Sequence, residues 1–108
     1  MTVSANDEAG VVRRAVALLL KVERILRSEG GENWLPGIRD TIAIGQEAED
    51  GVAEPKVALD EMRSVYRSMC SGPGGYGDFF VWREDFDERR LANEEYDRLQ
   101  EELWTLLG

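Results

Sequence analysis

The sequence contains no histidine and a single cysteine, Cys70. No disulfide can form within the chain, and a reducing compartment suits it best. One Cys without His cannot supply a usual zinc ligand set. The same shortage leaves Cys70 without the base that would make it a nucleophile, so it reads as a small apolar residue. Long apolar runs are missing too. The longest near the start, residues 15–20, is bracketed by Arg14 and Lys21 and is far shorter than the ~20 residues that span a bilayer. Residues 1–8 lack the basic region of a signal peptide. The expectation is a cytoplasmic protein that makes no use of membranes. Bases are also scarce: 13 Lys and Arg stand against 22 Asp and Glu, a formal charge of −9. Phosphate repels such a chain, which argues against nucleic acid as a partner and for a basic protein surface.

What is present is helical. With 108 residues, 43% of them hydrophobic, the chain is one domain able to bury its own core. Asn6, Asp7 and Glu8 suit a helix start. Val11, Ala15, Leu18, Val22 and Ile25, flanked by Val12, Leu19 and Leu26, cover about half the circumference of that helix, an arc wide enough for two or more neighbours. Gly30 and Gly31 end it. Asn33 is placed to cap a second helix with Pro36 in its first turn; Trp34 or Leu35, then Ile38 and Ile42, form its stripe, which fades at Gly45. Residues 46–54 carry four acids and no base, and without a clear period they read mostly as loop. Pro55 opens a third helix with Ala58 or Leu59, Met62, Val65 or Tyr66, and Met69 inward. A capping box at Asp85 and Glu88 starts the last, whose seam is Ala92, Tyr96, Leu99, Leu103 and Leu106. The spacing predicts an all-α, single-domain four-helix bundle, with helices at about 6–29, 33–45, 55–70 and 85–107. A glycine-rich turn and an irregular aromatic plug, residues 79–82, precede the last helix, the plug packed into the bundle.

Three local patterns invite chemistry. Gly72, Gly74 and Gly77 match a dinucleotide fingerprint by letter, but a helical pattern precedes them and Asp78 would repel phosphate, so they read as a structural turn. Glu84, Asp85, Asp87 and Glu88 suit a hard cation or a helix N-terminus; the capping explanation needs no second segment. Arg13, Arg14, Lys21 and Arg24 share one helix face, solvated or paired with acids of a neighbouring helix. No pattern selects a catalytic pair, a cofactor or a metal, and the expectation is a protein that is not an enzyme.

The acids gather where no apolar seam claims them: Glu47, Glu49, Asp50 and Glu54 between the second and third helices, and Glu94, Asp97 and Glu101 on the last. Residues 32–62 alone hold eight acids and two bases, an excess that favours this loop as the first contact with a basic partner. Trp104 lies off the main seam, either widening the buried face with Leu107 or serving as a hot spot for a partner.

Three stretches carry a resemblance: Gly30-Gly31-Glu32-Asn33-Trp34-Leu35; residues 69–82 with their glycine-rich turn; and Ala92-Asn93-Glu94-Glu95-Tyr96-Asp97-Arg98-Leu99 leading to Leu103-Trp104. Over about half its length the chain resembles small helical bacterial proteins found beside polymorphic toxin genes and taken to be immunity proteins. The resemblance implies an immunity-type inhibitor that neutralises a cognate toxin by stoichiometric binding. A nuclease toxin, basic where it holds nucleic acid, would meet an acidic blocker well. The other expectation is an acidic helical adaptor or nucleic-acid mimic that regulates a host protein.

Overall fold

Helix α1, Ala5–Glu29, is the axis on which the other helices pack. The computed structural model describes residues 5–70 and 80–108. After α1 come a single 3₁₀ turn at Glu32–Trp34, then α2 at Leu35–Glu49, α3 at Pro55–Cys70 and α4 at Phe86–Leu107. The chain is a single all-α four-helix bundle, with no strand among the described residues. α2 and α3 pack on each other and on α1, and α4 lies along α1 with a lighter contact to α3.

The wide apolar arc of α1 explains that central place. Val12, Ala15, Val16, Leu18, Leu19, Val22 and Leu26 are all buried, while Val11 and Ile25 are half-buried at the rim. Each large side chain removed from water in this way contributes about 1.5–3 kcal/mol. α3 settles the alternatives in its stripe: Ala58 and Leu59 are both buried, and Tyr66 is buried where Val65 is not. On α4 the seam is Tyr96, Leu99, Leu103 and Leu107; Leu106 sits only partly inside, and Leu107 closes the row.

Two helix ends follow one device. Gly30, at φ 85°, stops α1, and the Gly31 amide donates back to the Leu26 carbonyl at 2.8 Å. Gly51, at φ 79°, stops α2, and the Val52 amide donates to the Glu47 carbonyl at 2.8 Å. Both are the six-to-one bond of a left-handed glycine cap. Gly51, not Gly45, therefore ends α2, and residues 46–49 are helix where the sequence pattern suggested loop. Gly45 is a helical residue at a close crossing: a Cβ there would lie 2.4 Å from Val16 Cγ2. Asn33 does not cap α2. It falls inside the 3₁₀ turn, and Trp34 takes the cap position with no side-chain hydrogen bond. Pro36 stands in the first turn of α2, where its missing amide costs nothing. Asp85 does cap α4, accepting the Glu88 amide at 2.9 Å. The side chain of Asn6 lies outside what is described.

The aromatic plug is inverted from expectation. Val81 is buried at 2% exposure, while Phe80 and Trp82 stand 62% and 59% exposed. The segment is irregular, as the continuous apolar run suggested, and of its described residues 80–82 the middle one alone is buried. Phe79 and the glycine turn at 71–78 lie outside the described residues. Trp82 lies flat under a guanidinium instead: Arg89 Cζ sits 4.2 Å from its ring centre and 5.7 Å from that of Phe86. Arg83 then anchors the segment to the end of α1 through a two-pronged ion pair with Glu29.

Candidate functional site

The light contact between α3 and α4 leaves a groove of about 730 Å³ along their junction. Tyr66 and Cys70 come from α3; Asp97, Gln100, Glu101, Trp104 and Thr105 come from α4. The helix repeat explains the grouping. Asp97, Glu101 and Trp104 stand at i, i+4 and i+7, one stripe down α4, and Tyr66 and Cys70 at i and i+4 form the facing wall. Trp104 is 55% exposed, its ring centre 6.5 Å from that of Tyr66 at a 46° tilt. Gly108, which follows α4, lies against the indole, where a Cβ would meet the ring at 2.4 Å. Trp104 is thus held in place yet open to solvent, and Leu107 alone takes the buried position beside it.

Two bases of α3 are engaged at the end of α4. Arg63 Nε donates to the Leu106 carbonyl at 3.2 Å, and Arg67 donates to the Gly108 carbonyl at 2.9 Å. These cations satisfy carbonyls at the negative end of α4. Among the described residues, neither Asp97 nor Glu101 has a salt-bridge partner.

Of the other candidate acids, Glu94 alone has a salt-bridge partner among the described residues. Glu94 is paired with Arg90 at 2.9 Å along the helix. Glu47 and Glu49 are exposed on the last turn of α2, Asp50 caps it, and Glu54 precedes α3. Glu49 lines a separate hollow of about 300 Å³ together with Arg13. The structure therefore brings Asp97, Glu101 and Trp104 into one groove and leaves Glu47, Glu49, Asp50 and Glu54 in a second group, at the junction of α2 and α3. Tyr66 is legible in the sequence as a core position but not as a groove wall, because only the α3–α4 pairing sets it against Trp104.

The basic face of α1 is partly matched. Arg14 pairs with Glu102 of α4, and Arg13, Arg14 and Lys21 border a hollow that also holds Glu95 and Arg98. Burial pushes the Cys70 thiol up, against a smaller opposing effect from a Tyr66 hydrogen bond. A thiol so held is protonated near neutral pH and is not an activated nucleophile. Among the described residues no cluster of three potential ligands forms a metal site, and no helix is long and apolar enough to cross a membrane. Comparison with family models gives no match, and neither do comparisons with curated proteins and with solved structures.

Proposed function

We propose that this chain is an immunity-type inhibitor, which neutralises a cognate toxin by stoichiometric binding through an acidic surface. One observation carries the reading: Asp97 and Glu101 stand exposed beside Trp104 with no cation of their own among the described residues. Hydrated surface carboxylates cost a monomer little, and beside an exposed, well-held indole they stand available to a complex. The aromatic side chain supplies a central anchor, and the carboxylates steer a basic partner toward it. The acids of the α2–α3 junction form a second anionic patch that adds to the net negative charge a basic partner meets. A nuclease toxin is the partner whose own chemistry requires a basic surface.

The test is capture of the partner from the native cell, followed by an assay of that partner's activity with and without this chain. A single basic enzyme, bound one to one and silenced, is the expected result. A host protein that keeps its activity in the complex would instead make the chain an adaptor. The association rate should fall with added salt, since ions screen charges beyond ~8 Å at physiological strength.

A further inference from the structure

We propose that the groove between α3 and α4 receives an arginine side chain from a basic segment of the partner, an inference that rests on the inhibitor reading and specifies its point of contact. The groove offers the two things a guanidinium seeks at once. Trp104, 55% exposed and packed from behind by the buried Tyr66 ring, presents ring surface for a flat cation to stack on. Its acidic stripe, Asp97 and Glu101, presents carboxylates one helical turn apart for the N–H donors at the edge of that cation.

Charge complementarity selects the occupant. A neutral apolar segment would desolvate both carboxylates without giving them partners, which is strongly unfavourable. A lysine would meet the carboxylates as a point charge but would lack the planar face that matches an indole. Arg63 and Arg67 of α3 are turned to the Leu106 and Gly108 carbonyls at the end of α4. The chain already uses the same pairing within itself: Arg89 lies 4.2 Å over the Trp82 ring, in the segment leading to α4. At Trp104 the ring is present, the carboxylates are present, and no cation of a salt bridge accompanies Asp97 or Glu101 among the described residues.

The experiment is a titration of the isotope-labelled full chain, followed by amide and indole resonances. The probe is a short capped peptide of alternating glycine and arginine. Its controls have lysine or neutral citrulline in place of arginine. The three tryptophans give separate reporters: Trp104 in the groove, Trp82 already covered by Arg89, and Trp34 half-buried beside α2. The arginine peptide should move the Trp104 indole and the backbone amides of Asp97, Gln100 and Glu101. The citrulline peptide should bind at least about tenfold more weakly, the lysine peptide between the two, as expected when a charge-assisted contact is removed. Asp97→Asn with Glu101→Gln keeps shape and folding and should weaken the arginine peptide by a similar factor.

Equal binding of the citrulline peptide would overturn the proposal, as would an unmoved Trp104 indole at millimolar arginine peptide. Shifts confined to Glu47, Glu49, Asp50 and Glu54 would also overturn it, while leaving an acidic inhibitory surface in place. Concentration-dependent movement of Trp104 without peptide would assign the groove to a second copy of the chain instead. The inhibitor reading fails by another route, when the captured partner keeps its activity even though the groove is filled.

Discussion

Asn93 holds both backbone polar groups of Val81. Its side-chain oxygen accepts the Val81 amide at 2.7 Å, and its side-chain nitrogen donates to the Val81 carbonyl at 2.8 Å. The same nitrogen also donates to the Arg89 carbonyl one turn earlier on α4 at 2.8 Å. An amide side chain has the donor and acceptor spacing of a peptide group, so Asn93 plays the part of a neighbouring strand. It pins the one buried residue of the connection to the face of α4.

Replacing Asn93 with Leu should therefore cost about 2 kcal/mol. A buried polar group left without a partner costs roughly 1–3 kcal/mol, and here two backbone groups lose theirs. The urea midpoint measures the loss, and amide exchange locates it. Val81 should exchange faster in the variant while the Leu19 and Val22 amides of α1 keep their protection. An unchanged Val81 amide would show that packing, not Asn93, holds the segment.

Its neighbours should behave oppositely to their size. Val81→Ala removes a buried branched side chain and should cost about 1–3 kcal/mol, whereas Phe80→Ser, at an exposed site, should stay within about 0.5 kcal/mol. Trp82→Ala should fall between, through loss of the Arg89 stacking, which contributes roughly 0.5–2 kcal/mol. Three urea titrations rank them. Phe80→Ser proving the most damaging would mean that the phenyl ring is buried in solution.

The period of 3.6 and the glycine or proline between stripes make the four helices legible in the sequence, because each helix has one clean apolar face to bury. What the pattern misses is local and has local causes. Residues 46–49 lack an apolar stripe, yet they continue α2 because Gly51 supplies the stop. Gly45 resembles a helix end, since the pattern cannot distinguish a glycine that ends a helix from one that lets two helices approach. Phe80 and Trp82 read as buried because composition records apolar surface without its direction. Asp97, Glu101 and Trp104 are each visible as candidates, and their spacing places them on one stripe. The facing wall of Tyr66 and Cys70 is not visible, because it depends on which helices pair.

The Glu29–Arg83 ion pair should give the fold an acid-sensitive component. The hydrogen bond from Arg83, with its charge, holds the Glu29 carboxyl below the usual glutamate range against the opposing effect of burial. A depressed pKa means that this stability is complete above the range of an unfolded glutamate. It is lost as pH falls through the lower, folded value. Glu29→Gln should thus lower the urea midpoint at pH 7, and the gap to the parent chain should close as pH drops below about 4. The charge at the end of α1 sharpens the test: a lone Glu29 opposes the helix dipole, so Arg83→Gln should destabilise at least as much. A gap that does not vary with pH would reject the linkage.

Gly45→Ala sets two effects against each other. Alanine in a helix interior is favoured over glycine by about 1 kcal/mol. Overpacking a tight crossing costs roughly 1–3 kcal/mol. The new Cβ would lie 3.0 Å from the Met62 methyl, which can swing away, but 2.4 Å from Val16 Cγ2, whose branched side chain has little freedom. The clash should win, lowering Tm by several degrees. Val16→Ala in the same chain should recover part of the loss, and a melting temperature that rises on Gly45→Ala alone would contradict the close crossing.

Neutralising the groove should separate stability from binding. Asp97 and Glu101 stand at i and i+4 with like charge, a pairing that destabilises a helix by about 0.2–0.5 kcal/mol. Glu101 also lies toward the carboxyl end of α4, where the dipole disfavours an anion. Asp97→Asn with Glu101→Gln should therefore hold or raise the urea midpoint at low salt, with the gain fading as salt is added. The same pair of changes should weaken association with the captured toxin and blunt its dependence on salt. Glu94→Gln is the matched control, because Glu94 already has Arg90 as a partner and its loss should leave association nearly unchanged. If these acids serve only to keep the chain soluble, the three substitutions should alter association alike or not at all. A variant that is as stable as the parent but slower to bind, with Glu94→Gln unaffected, is the outcome that ties the Asp97 and Glu101 carboxylates to recognition.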